Sequence, residues 1–469
     1  MNLPASIHFV GIAGIGMSAL AQLAQARGCV ISGSDPGARP EQNPAVARLL
    51  AGGARLFCQH RAENVPADAG MVVVTAAVPD ANPEVQEAYR RGIRVVSRAE
   101  FLGELMAAHP GPRIAVAGTH GKTTTTAMIG VMLQTAGRDP TVLVGGEVAQ
   151  LGGNLCIGSS TGPFVTEACE AYDSFLSLQP DIGVITNIEP DHLDYFRTFD
   201  AVKASFARFA AGVRQRLVIC ADDPVLIAKA DEFARRVPVT RYALDATAAE
   251  VRGAVEPGGL VSDLRVITPA GQWETRLQVP GRHNALNALA AVAAGLALGL
   301  EPECIASGLN AFRAVGRRQE VLGEVGGVLV VDDYAHHPAE IRATLQAMRS
   351  AYPCRRVLAV FQPHLYTRTR DFLDDFAEAL AQADGAVVTE IYAAREAPLA
   401  GVCAGDIVRR VVQKNPGFPA IFAPDNAVLQ QVLREVVRSG DMVLFLGAGD
   451  IRAQGEAFIR LLRAGEGQA

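Results

Sequence analysis

Short apolar runs rich in β-branched residues alternate with helical patterns along this chain of 469 residues. In the first hundred residues, the strand-like runs IHFV, CVISGSD, MVVVTAA and IRVV are separated by stretches with helical spacing, such as MSALAQLAQARG. The runs RLVICADD, RVLAVFQ and MVLFLGAGD continue the pattern further along. Such alternation implies parallel sheets covered by helices, so the sequence predicts an α/β fold.

The length limits how this pattern can be packed. A chain of 469 residues is too long for one ordinary core, so we expect two to four domains. The turn-rich segment AAHPGPR is a candidate linker, and a third unit is predicted to start near Val315. Residues 250–280 carry many β-formers and little helical pattern, which indicates added antiparallel strands.

Charge and cysteine usage narrow the class of protein. The net charge of −6 argues against nucleic-acid binding, because no excess of cations is available to neutralise phosphates. The eight cysteines are scattered and form no C-x-x-C pair, which favours reduced thiols over disulfides or zinc. The N-terminal residues lack a secretory signal pattern, and apolar runs such as Ala285–Leu300 are too short to span a membrane. We therefore expect a cytoplasmic protein without membrane insertion.

A glycine–lysine–threonine segment, VAGTHGKTTTTAMI, lies between a strand-like run and a helix-like run. A glycine turn ahead of a helix presents N–H groups and the positive helix end to an anion. The common phosphate loop has four residues between its first glycine and the GK pair, whereas two separate them here. Lys122 is expected to reach the terminal phosphates of a nucleotide, and the Thr123 hydroxyl to bind Mg²⁺. A plain glycine turn with a threonine N-cap is the alternative.

A second glycine-rich segment, GIAGIGMS, also follows a strand and precedes a helix. Its order is G-x-x-G-x-G, which differs from the G-x-G-x-x-G fingerprint of dinucleotide sites. Asp35 ends the next predicted strand, where an acidic residue can contact a ribose. The segment favours a diphosphate-bearing nucleotide, with a tight βα turn as the alternative.

Acidic and histidine side chains follow two strands of the middle region, in VTEACEAYDSF and VITNIEPDHLDYF. Ligands of open α/β sheets bind at the carboxyl ends of the strands, so these side chains are candidates for holding Mg²⁺. Helix capping is the alternative for any one carboxylate taken alone. The candidates are Glu167, Glu170, Asp191, His192 and Asp194.

Two further polar groups of residues stand out. PGRHNALNA places Arg282, His283, Asn284 and Asn287 at the start of an apolar helix, which suggests a base or phosphate contact beyond a simple N-cap. The second group of polar residues lies in VGRRQE, DDYAHHPAE and FQPHLYTRTRDF. Their arginines have guanidinium groups that suit carboxylates and phosphates. A solvated charged surface is the alternative. These segments hold His336, His337, His364, Arg317, Arg318, Arg368 and Arg370.

Six of these segments together resemble the Mur ligases of peptidoglycan synthesis, and among them the alanine-adding enzymes. They are GIAGIGMS, AGTHGKTTTT, TNIEPDHLDYF, PGRHNALNA, DDYAHHPAE and FQPHLYTRTRDF, in the family's order. The resemblance implies three domains, each built on a mostly parallel sheet with flanking helices. These are a Rossmann-like UDP-sugar domain at 1–110, a P-loop-type ATP and Mg²⁺ domain at 111–314, and a Rossmann-like amino-acid domain at 315–469.

The resemblance also implies a reaction, in which an ATP-dependent ligase joins L-alanine to the lactyl carboxylate of UDP-N-acetylmuramate through an acyl phosphate. The implied partners are UDP-N-acetylmuramate, L-alanine and ATP, with two Mg²⁺ ions, no nucleic acid and no membrane insertion, in a monomer or homodimer. A ligase that recycles a preformed murein peptide is the alternative within the family. Outside it, the alternatives are a nicotinamide dehydrogenase and a non-catalytic nucleotide-binding protein.

The resemblance assigns roles to individual residues. It implies catalytic roles for Lys122, His192 and Arg318, with Thr123 and Glu167 on one Mg²⁺ and His192 on the second. The implied amino-acid site is Tyr334, His336 and Arg368. The implied ATP contacts are Gly118, Thr119, His120, Gly121, Lys122, Thr123, Thr124, His283, Asn284 and Asn287. The implied UDP-sugar contacts are Gly11, Gly14, Ile15, Gly16, Ser34, Asp35 and Thr75.

The chain departs from the family pattern in two places. Many members read EADESD where this chain reads EACEAY, so two aspartates are replaced by Cys169 and Tyr172. Many members also have an arginine at the position of Leu365. The alanine carboxylate is then expected to depend on Arg368 alone or on another group.

Overall fold

A computed structural model of the chain describes residues 3–41, 43–75, 77–259, 261–394 and 396–466. Three mostly parallel sheets with flanking helices follow one another along the sequence, which confirms the predicted fold class. By their internal contacts, the residues form two compact units. Unit 1 comprises Met1–Arg252, Val266–Trp273 and Leu286–Ala311, and unit 2 comprises Gly253–Arg265, Glu274–Ala285 and Phe312–Ala469. The predicted domain boundaries stay predictions.

The first sheet has five parallel strands in the order β3-β2-β1-β4-β5. The strands are β1 Ser6–Val10, β2 Val30–Ser34, β3 Arg55–Phe57, β4 Met71–Val74 and β5 Arg94–Ser97. The helices are α1 Ile15–Ala26, α2 Pro44–Ala51, α3 Pro83–Arg90 and α4 Arg98–Ala107. Every residue of the central strand β1 is buried, as expected for a strand covered by helices on both faces. The side chains of Asn43, Asn82 and Ser97 cap α2, α3 and α4.

The second sheet has ten strands in the order β15-β14-β13-β12-β11-β10-β6-β9-β7-β8. These are β6 Arg113–Ala117, β7 Thr141–Val148, β8 Gly153–Cys156, β9 Phe164–Glu167, β10 Ile182–Ile185, β11 Arg216–Cys220, β12 Val239–Ala243, β13 Val251–Gly258, β14 Val261–Thr268 and β15 Gly271–Leu277. Its helices are α5 Lys122–Thr135, α6 Leu193–Phe196, α7 Phe199–Gly212, α8 Pro224–Ala234, α9 Arg282–Ala297 and α10 Pro302–Ala311. Strands β13–β15 account for the β-rich region predicted at 250–280.

The position of β6 determines where the middle motifs meet. β9 and β10 pair in parallel with β6 on its two sides, so the carboxyl ends of all three strands lie at one edge. The chain crosses over between these neighbours, and such a switch point is where open α/β sheets bind ligands. The glycine–lysine segment and the two acidic segments therefore come together.

The third sheet belongs to unit 2 and has the order β16-β17-β21-β18-β19-β20. Its strands are β16 Glu320–Val325, β17 Val328–Asp333, β18 Val357–Phe361, β19 Gly385–Thr389, β20 Ala420–Ala423 and β21 Met442–Leu446, of which only the β16–β17 pair is antiparallel within the described residues. Its helices are α11 Pro338–Ala351, α12 Tyr366–Asp371, α13 Leu373–Leu380, α14 Gly405–Lys414, α15 Asn426–Val436 and α16 Ile451–Glu466. Leu329 and Val331 belong to one core layer and Val330 to the other, since successive strand residues face opposite sides.

None of the helices in the described ranges combines the length and the apolar character that crossing a membrane requires.

A buried ion pair joins the amino ends of β6 and β10, and it provides a test of the central sheet. Asp181 accepts hydrogen bonds from the backbone N–H of Arg113 at 3.1 Å and from its guanidinium at 2.8 and 2.6 Å. Asp181→Ala is expected to lower the free energy of unfolding by about 3 kcal/mol, because the guanidinium stays buried without its anion. Urea unfolding measures the change.

The matched control is Asp263→Ala, whose partner Arg276 forms an ion pair in which both side chains are more than half exposed. Solvent screens such a pair, so the unfolding midpoint should stay that of the wild type. Equal midpoints for both variants would contradict the structural role of the buried pair.

Candidate active site

The predicted phosphate loop connects β6 to α5, and its two glycines are required by the backbone. Gly118 and Gly121 have φ angles of +134° and +82°, which favour glycine. A Cβ at Gly118 would lie 1.9 Å from Oγ1 of Thr186, and one at Gly121 would lie 2.4 Å from Oδ1 of Asn287. Gly121 is the N-cap of α5, so the loop ends at the positive end of that helix.

The segment after β10 fastens this loop. The backbone N–H of Thr119 donates to the carbonyl of Asn187 at 3.1 Å, and that of His120 donates to the side-chain oxygen of Asn187 at 2.8 Å. The hydroxyl of Thr186 donates to the carbonyl of His120 at 2.5 Å. The sequence motifs assign no role to Thr186 and Asn187, although both belong to the segment TNIEPDHLDYF. The signal that could have identified them is their position directly after the strand, four to five residues before Asp191.

Lys122 occupies the first position of α5 and is held by an anion. Its Nζ lies 2.9 Å from Oε2 of Glu170, which is 2% exposed, and donates to the carbonyls of Gly118 and Thr119. Burial alone would lower the pKa of Lys122, but the Glu170 carboxylate raises that pKa above its ordinary value. The ammonium is therefore charged at the place where the phosphates of a nucleotide would be bound.

A hydroxyl and a carboxylate predicted for one Mg²⁺ also meet here. The Thr123 hydroxyl donates to Oε2 of Glu167 at 3.1 Å, and the backbone N–H of Gly145 donates to the other carboxylate oxygen. A Cβ at Gly145 would lie 3.0 Å from both oxygens of Glu167, so the strand β7 approaches this carboxylate closely. The oxygens of a hydroxyl group and of a carboxylate are ligands suited to a hard divalent cation.

A second group of candidate ligands is formed by Glu170, Asp191 and His192. One ligand atom from each lies within 4.8 Å of the others, with Nε2 of His192 at 3.9 Å from Glu170 and 3.8 Å from Asp191. His192 has a φ of +52°, a strained conformation for a non-glycine residue of the kind that concentrates at functional sites. The two carboxylates fit a bound Mg²⁺, for which oxygen ligands are the usual ones, and the imidazole is a less usual ligand beside them. The side chain of Asp194 lies outside the described residues.

The predicted UDP-sugar residues share the carboxyl edge of the first sheet. Gly11 has a φ of +86°, and a Cβ there would lie 2.8 Å from Cγ2 of Thr75 at the end of β4. Asp35 accepts from the backbone N–H of Ala13 at 3.2 Å, which ties the end of β2 to the glycine segment. The residues at the start of α1 are Gly14, Ile15 and Gly16, of which Ile15 is 51% exposed.

The predicted amino-acid residues cluster in unit 2, at the carboxyl ends of β17 and β18. The rings of Tyr334 and His336 have centroids 5.4 Å apart, and His336 lies 5.7 Å from His364. A guanidinium nitrogen of Arg368, which is 7% exposed, lies 3.3 Å from Nδ1 of His364. The guanidinium of Arg318 lies 5.2 Å from the centroid of the Tyr334 ring. The cluster combines two cations with three aromatic rings.

Two further members of this cluster lie outside the predicted set. The ring of Tyr392 stacks on His364 at 5.8 Å, and Glu340 lies 3.3 Å from His336 and 3.8 Å from Arg318. Glu340 closes a capping box with His337 at the start of α11, a spacing visible in HPAE. No pattern in the sequence identifies Tyr392, because it follows β19, far along the chain from the other residues.

The polar residues at the start of α9 divide between different partners. Asn287 accepts from the hydroxyl of Thr125 at 3.3 Å within unit 1. Within unit 2, Asn284 donates to the carbonyl of Pro280 at 2.7 Å, and His283 lies 3.2 Å from the side-chain nitrogen of Gln319. Asn287 therefore supports the phosphate loop at Gly121, whereas His283 and Asn284 contact the segment that leads into the third sheet.

The positions that depart from the family pattern carry neutral groups. Burial raises the pKa of the Cys169 thiol above its ordinary value, so the side chain is uncharged. Tyr172 has a φ of +55° and contacts the ring of Tyr195 at 5.3 Å. Asp173, the next residue, accepts from Tyr195 at 3.2 Å and from Arg208 at 2.8 Å, so its charge is compensated within unit 1.

Comparison with known proteins gives one family over nearly the whole chain. Three family models match: the Mur ligase family, catalytic domain, at 6–110, the Mur ligase middle domain at 116–295, and the Mur ligase, glutamate ligase domain, at 317–449. A UDP-N-acetylmuramate–L-alanine ligase of Salinibacter ruber is 45% identical, covering 99% of this chain and 96% of that protein. A protein of the same name from Pelotomaculum thermopropionicum is 41% identical, covering 99% of each.

Solved structures share the architecture. The crystal structure of a UDP-N-acetylmuramate–alanine ligase from Thermotoga maritima matches with a TM-score of 0.80 at 30% identity, covering 98% of this chain and 99% of that one. A murein peptide ligase from Psychrobacter arcticus matches with a TM-score of 0.70 at 24% identity, covering 98% of each chain, which shows the fold alone.

The partly buried imidazole of His283 allows a test of the electrostatics in unit 2. Burial, and then the charge of Arg318, lower the pKa of His283 from 6.5 to about 4. Titration followed by NMR should give this low pKa in the wild type. In Arg318→Met the pKa should rise but stay below 6.5, because burial is the larger cause.

The same pKa sets the sign of a stability effect. Between about pH 4 and 6.5 the unfolded chain binds a proton at His283 that the folded chain does not. Stability is therefore lost as the pH falls through this window, and His283→Asn should show a shallower dependence than the wild type. A His283 pKa at or above 6.5, or identical slopes for the two proteins, would contradict the burial of a neutral imidazole.

Proposed function

The chain belongs to the Mur ligase family, and we propose that it joins L-alanine to the lactyl carboxylate of UDP-N-acetylmuramate with ATP, in the synthesis of peptidoglycan precursors. The observation that carries the proposal is the 45% identity over 99% of the chain with a ligase of this name. The central site supports it, since Lys122 at the helix end and two groups of Mg²⁺-type ligands surround the place for phosphates. A nicotinamide dehydrogenase would leave these groups without a role.

We assign one substrate to each predicted domain. Residues 1–110 bind the UDP-sugar, 111–314 bind ATP and Mg²⁺, and 315–469 bind the amino acid. This division is supported by the position of each predicted group of residues at the carboxyl edge of its own sheet. The dependence on ATP supports the cytoplasmic location that the sequence predicts, and a monomer or homodimer stays a prediction.

The reaction begins with activation of a carboxylate. A carboxylate is a poor acyl donor, and phosphorylation of its oxygen supplies a leaving group that the amine of L-alanine can displace. Transfer of a phosphoryl group between two anions depends on neutralisation of charge and in-line positioning. Lys122 provides the cation, and we infer that it exchanges its ion pair with Glu170 for phosphate oxygens when ATP binds.

Magnesium is part of the proposal, with two ions. Thr123 and Glu167 would hold one ion, and His192 would hold the second together with the carboxylates beside it. Bound Mg²⁺ neutralises the phosphate oxygens and makes the phosphorus more electrophilic. Side-chain oxygens of Thr186, Asn287 and Glu167 lie close to the backbone of the site. They can do so because Gly118, Gly121 and Gly145 have no Cβ atoms.

The remaining assignments concern the third sheet and the nucleotide. We propose that the guanidinium of Arg368 binds the alanine carboxylate beside Tyr334 and His336, and that Arg318 reaches the transferring phosphate. The buried position of Arg368 next to His364 supports a fixed orientation of its fork. The nucleotide contacts are assigned as the sequence predicts them, including His283, Asn284, Asn287 and Thr124.

Phosphate release with ATP, Mg²⁺ and UDP-N-acetylmuramate, with each amino acid added in turn, tests the reaction. We expect release that requires both the sugar nucleotide and L-alanine, with a product of the mass of the amide. Glycine should react about 10- to 200-fold less efficiently, since a small pocket discriminates one methyl group only to that extent. Lys122→Met should abolish turnover.

Two outcomes would contradict the proposed reaction. Turnover with a peptide that begins with alanine, but not with free alanine, would identify a ligase that recycles murein peptides. Binding of ATP without turnover of any amine would identify a non-catalytic nucleotide-binding protein.

The ligand role of Thr123 can be tested separately. Thr123→Val removes the hydroxyl and should raise the Mg²⁺ concentration for half-maximal activity at least about tenfold. Thr126→Val is the matched control, because Thr126 lies on the same helix and its fully buried hydroxyl has no hydrogen-bond partner among the described residues. The assay is steady-state turnover over a series of Mg²⁺ concentrations, and equal requirements in the two variants would remove Thr123 from the metal site.

A further inference from the structure

A single buried carboxylate lies behind the first glycine segment. Glu84 is on α3, near the start of the helix, and its side chain is fully buried. The resemblance gives this residue no role, and no sequence pattern points to it. The groups that surround it come from three other parts of the first sheet: β1, the end of β2, and the segment after β3.

Both oxygens of Glu84 are used by these groups. Oε1 accepts from the side-chain amide of Asn64 at 2.6 Å and from the backbone N–H of Arg61 at 3.3 Å. Oε2 accepts from the hydroxyl of Ser34, with Nδ1 of His60 at 3.2 Å. Burial alone would raise the pKa of Glu84, but the imidazole of His8, whose Nε2 lies 3.8 Å from Oε2, and the hydrogen bonds from Ser34 and Asn64 lower it to about 2. The group is an anion at any pH at which the enzyme would be assayed.

Ser34 connects this carboxylate to the glycine segment. Its side chain is held by Glu84, and its backbone carbonyl accepts from the N–H groups of Gly11 at 2.8 Å and Ile12 at 3.2 Å. Ser34 is fully buried, so its hydroxyl faces protein atoms. The path from Glu84 to the segment that is assigned to the UDP-sugar is therefore two hydrogen bonds long.

His60 is the partly exposed member of the same group. Its Nδ1 lies 2.7 Å from the Ser34 hydroxyl, which itself donates to Glu84. This arrangement requires a hydrogen on Nδ1 of His60, which donates to the Ser34 oxygen. The side chain of His60 is 27% exposed, whereas that of Glu84 is not exposed at all. The carboxylate thus fixes the orientation of an imidazole at the edge of the site.

Stability alone does not account for a carboxylate in this position. Removing a carboxylate from water costs free energy that its hydrogen bonds must offset, so a single buried charge is weak evidence for a stabilising role. The Glu84 carboxylate acts on geometry. Its oxygens can accept all of their hydrogen bonds only when the ends of β2 and β3 lie in one arrangement.

We propose that Glu84 is a positioning residue of the UDP-N-acetylmuramate site, which holds the glycine segment through Ser34 and orients His60. It does not touch the substrate. This inference rests on the proposed function, which assigns the sugar nucleotide to the first sheet.

Steady-state kinetics of Glu84→Gln test the inference. Glutamine keeps the size of the side chain but removes the charge and one acceptor. The KM for UDP-N-acetylmuramate should rise about tenfold, the effect of removing about one hydrogen bond to a charged group. The KM for ATP and kcat should stay within about twofold. A positioning residue affects binding of the sugar nucleotide equally in the ground state and in the transition state, and such a loss raises the KM for that substrate alone. Asn64→Leu removes the amide that donates to Oε1 of Glu84, so it should change the same KM, and it decides the question if Glu84→Gln does not fold.

The control is Arg91→Ala, which removes hydrogen bonds near the other end of α3. Arg91 donates to the carbonyls of Val65, Pro66 and Ala67 at 3.1, 2.7 and 2.8 Å. This variant should lower the melting temperature and leave the KM for the sugar nucleotide unchanged. If Glu84→Gln lowers the melting temperature in the same way, with no selective change in that KM, Glu84 is only structural and the inference is wrong.

The wild type separates this inference from the proposed function. Wild-type turnover that depends on UDP-N-acetylmuramate, with an unchanged KM in Glu84→Gln, overturns only the role of Glu84. A wild type that neither binds nor converts the sugar nucleotide overturns the proposed function and the role of Glu84 with it.

Discussion

The ion pair between Lys122 and Glu170 is the interaction on which the central site depends. A buried ammonium without an anion would be strongly destabilising, so the segment after β9 must bring a carboxylate to the start of α5. The parallel pairing of β6 with β9 achieves this, since Val116 lies opposite Glu167 and both strands leave the sheet at the same edge. The position of the cation is thus a consequence of strand register. Any substitution that shifts this register also moves the ammonium of Lys122, which is proposed to bind phosphate.

The carboxylates at this edge of the second sheet suit the metal ions of the proposed reaction. Glu167, Glu170 and Asp191 lie here, and Lys122 is the cation paired with Glu170. Carboxylate oxygens are ligands suited to a divalent cation, and ATP would bring further negative charge for such ions to offset. The neutral thiol of Cys169 adds no charge to this group, whereas an aspartate at this position would add another carboxylate.

Much of this arrangement can be predicted from the sequence, because the strands are buried on both faces and read as continuous apolar runs. The loop at Gly118–Gly121 is recognisable by its glycines and by the lysine that follows them. The pairing of Lys122 with Glu170 cannot be predicted in this way. Glu167 and Glu170 are three residues apart, and the sequence does not show which of them faces the lysine until the course of the backbone is known. Tyr392 escapes sequence reasoning because its contact with His364 depends on the order of β18 and β19 in the sheet.

The helix α9 shows contacts that the sequence does not indicate. Asn284 and Asn287 are three residues apart, a spacing that places them on one helix face, and their contact with a nucleotide stays a prediction. Asn287 also occupies the space beside Gly121, while Asn284 is bonded to the turn that precedes the helix. Because a Cβ at Gly121 would collide with Asn287, the glycine of the loop and the asparagine of the helix constrain each other. The apparent nucleotide motif therefore also contains a residue that shapes the phosphate loop from behind, and substitution of Asn287 would alter the loop even where no nucleotide is bound.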